Sequence, residues 1–522
     1  MIPTNTASSA QHTHMTDNAN LYHRLAAGFK PTAHALELPD GTGYTFADVE
    51  RHSARAANVL SNLGLSTGDR VSVIAEKSLP YLWLYLGCLR AGFVFHPLNP
   101  GYTQTELAFF LANAGTRALL YDASGATQAL PAADDCPGIV HRLSLDSHGG
   151  DDFCTRMLSA PEEFATVEMA GQDSAALLYS SGTTGTPKGI RITHENLYSN
   201  AQALREAWEF SADDILVHAL PVFHVHGLFI TLGPALLAGT TLRWLPRFNA
   251  AEVIAAMPGA TMMAGVPTYY SRLLASDAFD ADVCASIRVF ISGSAPLSEA
   301  VFHAFEQRTG HRILERYGMT ETGILTSNPL HGERKPSSVG PVLPGVGIRV
   351  VDDAGIALSG DVIGAVQVRG DNVFPGYWEL PAATDKAFSD GGWFDTGDQG
   401  YLDDDQYLFI AGRSKDMVIS GGLNVYPKEI ERDIERMEGV AEAAVFGVPH
   451  ADFGEAVVAA VVATAGKSVD EGATIAALKT TLAAFKVPKR ILLLDDLPRN
   501  TMGKVQKNKL RERYDDLFSA AV

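Results

Sequence analysis

From Arg70 onward, short runs of β-branched and apolar residues alternate with longer stretches whose apolar positions recur at helical spacing. Val71 to Ala75 reads as a strand, Tyr81 to Gly92 as a helix, Phe93 to Pro97 as a strand, Glu106 to Ala114 as a helix and Ala118 to Asp122 as a strand. Strands separated by helix-length segments do not close as tight hairpins, so the alternation predicts parallel strands linked by crossover helices. A second series runs through Thr261 to Val266, Val289 to Ser292, a helix from about Ser298 to Thr309, and Ile313 to Arg316. Between Gly340 and Ile410 the pattern breaks into short segments punctuated by Gly, Pro and Asp, which predicts a small antiparallel sheet. Beyond Arg413 the pattern predicts a compact α/β unit with a helix from Pro427 to Met437, strands Ala443 to Val448 and Val457 to Thr464, and a helix from Thr474 to Phe485. No internal repeat interrupts this order, and the fold class is α/β.

At 522 residues the chain exceeds what one hydrophobic core usually serves, so at least two domains are expected. We place the boundary between 412 and 413, giving an N-terminal domain over 21–412 and a C-terminal domain over 413–522, preceded by a polar, disordered leader over 1–20. That leader holds no Arg or Lys, unlike a secretory signal or transit peptide. With 46% apolar and 19% charged residues the chain reads as globular, and a net charge of -19 offers no footprint for nucleic acid or an anionic membrane. The longest apolar run, Tyr81 to Pro97, is cut by Arg90, so no membrane span is expected. Cys88, Cys136, Cys154 and Cys284 are far apart, which argues against zinc and against a disulfide framework. The C-terminal Ser-Ala-Ala-Val is not the peroxisomal address, and the expected location is the cytoplasm. Nothing in the sequence sets the oligomeric state.

One stretch carries chemistry on its face. Ser180, Ser181, Gly182, Thr183, Thr184, Gly185, Thr186, Pro187, Lys188 and Gly189 form a flexible, donor-rich loop between the apolar runs Ala175 to Tyr179 and Gly189 to Ile192. Glycines let backbone approach an anion, hydroxyls donate, and Lys188 supplies a charge for phosphate oxygens. The pattern is not a Walker A motif, because Lys188 follows Pro187 and precedes a strand-like Gly-Ile-Arg-Ile-Thr.

This loop resembles the signature of the acyl-adenylate-forming enzymes, a superfamily of acyl-CoA synthetases, carrier-protein adenylation domains and luciferases. Further motifs follow in that superfamily's order. They are Tyr317-Gly-Met-Thr-Glu-Thr322, Trp393-Phe-Asp-Thr-Gly-Asp398, Gly412-Arg-Ser-Lys-Asp416 with Gly421-Gly-Leu-Asn-Val-Tyr-Pro427, and Pro498-Arg-Asn-Thr-Met-Gly-Lys504. The resemblance covers nearly the whole chain after about residue 20. It implies a small β-barrel-like subdomain within the N-terminal domain, a mobile α+β C-terminal domain, and ATP, Mg²⁺ and coenzyme A as cofactors. By the same resemblance Thr320 meets the phosphates and Glu321 holds Mg²⁺, while Gly293, Ser294, Ala295 and Pro296 form the adenine turn. Tyr317 stacks on the base, with Glu315, Gly318 and Met319 beside it, and Asp398 and Arg413 bind ribose hydroxyls. Lys504 bridges the attacking carboxylate and the α-phosphate. Lys415 occupies the hinge, and the Gly421-Gly422 loop faces the pantetheine arm in the second half-reaction.

The acyl pocket is more particular to this chain. His224, in Pro221-Val-Phe-His-Val-His-Gly-Leu-Phe229, holds the superfamily's gating position, and His226 shares its side if the segment is extended. Arg316 matches a pocket-lining position, and Arg272 is a second candidate at the wall. Two buried arginines and a histidine suggest a second carboxylate on the substrate, because a guanidinium fork pairs with a carboxylate and an unpaired buried charge is costly. The stretches Phe223-His-Val-His-Gly-Leu-Phe and Glu315-Arg-Tyr-Gly-Met-Thr-Glu-Thr resemble the malonyl-CoA synthetases. The expected function is therefore ligation of a short acid, malonate or methylmalonate, to coenzyme A with release of AMP and pyrophosphate. The alternatives are a ligase for a medium-chain, aromatic or other dicarboxylic acid, and a non-catalytic nucleotide-binding relative.

Overall fold

The computed structural model describes residues 18–145, 152–180, 187–420, 423–450, 453–500 and 503–518. Four sheets organise them. A six-stranded sheet runs in the order His141–Ser144, Thr116–Tyr121, Arg70–Ile74, Val94–Leu98, Ser174–Ser180 and Lys188–Thr193. Its first five strands pair in parallel, as the alternation predicts, and the last closes an antiparallel hairpin on Ser174–Ser180. The glycine- and hydroxyl-rich stretch lies between these two strands in sequence. Ser181, Gly182, Thr183, Thr184, Gly185 and Thr186, and the side chain of Ser180, lie outside the described residues.

An eight-stranded sheet packs beside it, with Val289–Ser292 flanked in parallel by Met262–Gly265 and Leu314–Met319. The helix Leu79–Ala91 packs against the helix Phe46–Ser61 and the strand Val94–Leu98, started by the Ser78 side chain and stopped by Gly92 at φ 74°. From Tyr81 to Ala91 every residue of that helix is buried, which is why its pattern is apolar all round rather than striped. Arg90 is tolerated inside because backbone carbonyls of Glu50 and Phe164 accept from it at 2.8 and 2.6 Å and the Tyr22 ring lies 4.6 Å beneath it. Among the described residues no helix is long and apolar enough to cross a membrane.

The third sheet is antiparallel and five-stranded, and contains Trp393–Leu402 and Leu408–Arg413. The chain leaves it through the short turn Ser414–Asp416 and enters the fourth sheet at Val418–Ser420. There the long hairpin Val440–His450 and Gly454–Ala463 buries one face under the helices Pro427–Glu435 and Glu471–Thr481 and the other under Leu497 and Leu510. Of the expected leader, residues 18–20 belong to the fold: Asn20 is buried, caps the helix Leu21–Ala26 and donates to Leu89 O at 2.7 Å. Residues 1–17 lie outside the described residues.

Candidate active site

A cavity of about 360 Å³ opens where the C-terminal sheet faces the ends of the eight-stranded sheet. The parallel strand Val289–Ser292 ends at Gly293-Ser294-Ala295-Pro296, and Ser294, Ala295 and Pro296 line the cavity with Glu315, Tyr317 and Gly318 from the next strand. Ligands of open α/β sheets sit outside the carboxyl ends of the strands, and this cavity does so. Met319 is half-buried at the end of its strand and packs against the core, and Thr320 follows it.

Tyr317, Asp398 and Arg413 form one cluster. The Tyr317 hydroxyl donates to Asp398 Oδ2 at 2.5 Å, and Arg413 Nε lies 3.1 Å from Asp398 Oδ1. Register explains the pair, because Asp398 and Arg413 are direct cross-strand partners. Burial, followed by the Asp398 charge, pushes the Tyr317 phenol well above its ordinary value, so it stays a neutral donor. Burial pushes the Glu315 carboxyl up to about 8, against the weaker pull of a backbone bond from Leu297 and of Lys428.

Lys504 enters the cavity from the C-terminal sheet side. Gly503 at φ 73° turns the chain there and sits where an added Cβ would lie 3.2 Å from Thr268, so the turn is pressed on the N-terminal half of the molecule. Lys504 remains open to solvent along the cleft while walls surround it. Desolvation by those walls, then the Arg413 charge, pulls its ammonium down to about 8. If the cationic form is the working one, kcat/KM for adenylation is expected to hold below pH 8 and fall as pH rises through it. Lys504→Arg, which stays charged, should remove that limb. A limb that persists in the Arg variant belongs to another group.

Glu321 is buried, and its carboxyl is raised by that burial. The Tyr377 hydroxyl bonds it, and Lys188 Nζ sits 4.8 Å over the Tyr377 ring. Tyr377 thus ties the foot of the hairpin loop to Glu321, and Trp378 N reinforces the tie by donating to Gly189 O at 2.7 Å. Nothing in the motif pattern pointed to Tyr377. A single carboxylate beside a loop for phosphates fits Mg²⁺, which keeps waters and substrate phosphates as its other ligands. No group of three His, Cys, Asp or Glu among the described residues forms a closed metal cage.

The histidine stretch departs from its expected form. It is not extended: a turn at 222–224 leads into a π-helix over His226–Thr231, so strand periodicity is not what brings His224 and His226 together. His226 is buried, with Nδ1 3.2 Å from the Ser294 hydroxyl, and the nearby charge of Arg316 adds to burial in depressing its pKa. Burial likewise holds His224 down to about 4. Arg316 is buried with its guanidinium flat against Gly293, where a Cβ would fall 2.3 Å from Cζ. Among the described residues, the buried Nε and Nη2 of Arg316 and the Nε2 of both histidines have no partner. Burial lowers the Arg316 pKa to about 9.

The expectation of a second buried arginine is corrected. Arg272 is exposed on the helix Pro267–Leu274, where solvent meets its charge, so Arg316 alone of the two is desolvated. Lys415 is exposed in the turn joining the third and fourth sheets. Gly421 and Gly422 lie outside the described residues.

The architecture and this cleft have close parallels. A family model described as AMP-binding enzyme matches residues 24–378, and one described as AMP-binding enzyme C-terminal domain matches 429–504. The chain belongs to the AMP-binding enzymes. It is 35% identical to the long-chain-fatty-acid–CoA ligase FadD13 of Mycobacterium tuberculosis over 90% of this chain and 93% of that one. The malonate–CoA ligase of Arabidopsis thaliana is 31% identical over 97% of this chain and 91% of its own. Among solved structures, ATP-bound MatB from Rhodopseudomonas palustris matches with a TM-score of 0.92 and 46% identity, over 96% of this chain and all (100%) of that one. The protein is an ATP-dependent, AMP-forming acid–CoA ligase that works with Mg²⁺.

Proposed function

We propose that this AMP-binding enzyme activates malonate, or methylmalonate, and transfers it to coenzyme A. The observation that carries the reading is that, among the described residues, the buried Nε and Nη2 of Arg316 and two imidazole nitrogens beside them have no partner. An acid with a methyl terminus leaves those donors unpaired, whereas a second carboxylate satisfies them and pairs the arginine's charge. The malonate ligase and MatB relatives support this choice over the fatty-acid ligase relative.

In the first half-reaction a carboxylate oxygen attacks the α-phosphorus of ATP, the bond to the bridging oxygen of the β-phosphate breaks, and pyrophosphate leaves. In this reading Lys504 stabilises the charge gathering between the carboxylate and the α-phosphate, and Asp398 accepts from the ribose hydroxyls, with Arg413 holding it in place. Tyr317 and the 293–296 turn hold the adenine, and Lys188, Thr320 and the hairpin loop hold the phosphates. Mg²⁺ on Glu321 supplies charge neutralisation for the phosphate oxygens when bound. In the second half-reaction the CoA thiol, losing its proton, attacks the acyl carbon and AMP departs.

In this reading the C-terminal domain presents Lys504 in one pose for adenylation and takes a second pose for thioester formation. The turn at Lys415 is the proposed hinge, absorbing the rotation between poses. Lys415→Pro is expected to leave pyrophosphate release from ATP and malonate intact while slowing thioester formation. Equal loss of both steps, measured separately, would remove the hinge role. The substrate itself is tested by AMP release with coenzyme A and a panel of malonate, methylmalonate, oxalate, acetate and octanoate. Malonate or methylmalonate should lead, and a lead by octanoate or acetate would contradict the proposal.

A further inference from the structure

Lys77 is buried at 5% exposure, and no carboxylate pairs with it among the described residues. Its amine donates to His218 Nδ1 at 2.6 Å and to His218 O at 2.6 Å. Trp244 underlies both partners, with Lys77 Nζ 4.1 Å from its ring and the His218 ring stacked on it at 5.1 Å. Burial drives both groups well below their ordinary values, and with the Lys77 amine donating to it the imidazole keeps Nδ1 as an acceptor. A buried amine is costly, and an apolar side chain of the same volume would fill the site at no such cost.

The consequence of the amine lies on the other side of the imidazole. With Nδ1 accepting, Nε2 carries the proton, and it donates to Gly227 O at 2.9 Å. Thr231 Oγ1 lies 3.0 Å from the same nitrogen and 3.1 Å from the carbonyl oxygens of both His226 and Gly227. These are the first two residues of the π-helix, whose wider winding alters the local carbonyl ladder. Gly227 is pressed so close to the backbone of Pro221 that an added Cβ would fall 2.1 Å from its oxygen. His226, one residue earlier, meets Ser294, itself at φ 71°.

We propose that Lys77 and His218 form a positioning pair that fixes the turn carrying His224 and His226 and thereby sets acyl selectivity. Neither touches substrate. Lys77 selects the tautomer of His218, His218 holds Gly227, and Gly227 sets the direction in which the His226 ring faces the pocket beside Arg316. The inference rests on reading that turn as one wall of the acyl pocket.

The test compares kcat/KM for malonate and for butyrate, with KM for ATP measured alongside, in Lys77→Met, His218→Leu, the double variant and His218→Gln. Each single apolar variant should cut the malonate preference about tenfold, through KM for the acid, with ATP binding unchanged; that is the scale of one hydrogen bond's net worth. The double variant should be no worse than either single one, because both act through the same contact. His218→Gln, whose amide N–H reaches where Nε2 does, should retain most of the preference. Additive losses, a matching loss of ATP binding, or an unchanged preference would each overturn the pair's role. If Lys77→Met does not fold, the two His218 variants decide, and equal selectivity of Leu and Gln overturns the proposal. If the wild type prefers another acid, the dicarboxylate reading falls by itself. The positioning role is then judged on that acid against its nearest homologue.

Discussion

Arg316→Met is expected to make the enzyme more heat-stable and, at the same time, to erase its preference for malonate over butyrate. Both effects come from one fact, a desolvated guanidinium that lacks partners at Nε and Nη2. Replacing buried charge by an apolar side chain of similar volume is neutral or stabilising by about 1–4 kcal/mol. Removing one partner of a buried, hydrogen-bonded charge pair costs about 2–5 kcal/mol, so kcat/KM for malonate should drop by at least about thirtyfold. Butyrate, which leaves the guanidinium unpaired in the wild type, should gain. A thermal melt and paired kinetics read both signs. A variant that keeps the malonate preference would remove the second-carboxylate argument.

Lys504→Ala is expected to separate the two half-reactions. Pyrophosphate release from ATP and malonate should fall at least about a hundredfold, as it does when one preorganised donor at a developing charge is lost. Thioester formation from supplied malonyl-AMP and coenzyme A should persist, because that step forms no bond at phosphorus. The geometry behind this is the Gly503 turn pressed on Thr268, which brings the lysine into the cavity that Tyr317, Asp398 and Arg413 line. Equal loss of both half-reactions would show that the lysine holds the fold or the nucleotide instead of the transition state.

The parallel sheets were legible because the pattern there is governed by burial. Val71, Val73 and Ile74 are fully buried in a strand covered on both faces, and the helix Leu79–Ala91 is apolar because it is buried on every side. Asp398 and Arg413 were legible as motif residues, and their pairing follows from one antiparallel register. The histidine stretch was not, because a π-turn held by a distant imidazole leaves no periodic trace. Lys77 and Tyr377 are single residues whose partners lie 141 positions away for Lys77 and in another motif for Tyr377, so spacing says nothing of them. Arg272 shows the opposite error: a charge near the pocket in sequence lies on the solvent side of its helix.

A crystal structure of the enzyme with malonyl-AMP tests the central claim most directly. The distal carboxylate is expected to pair with the Nε and Nη2 edge of Arg316 at about 2.7–2.9 Å, the range of charge-assisted bonds, with His226 Nε2 within reach. A distal carboxylate pointing to solvent, with that guanidinium edge still bare, would contradict the account.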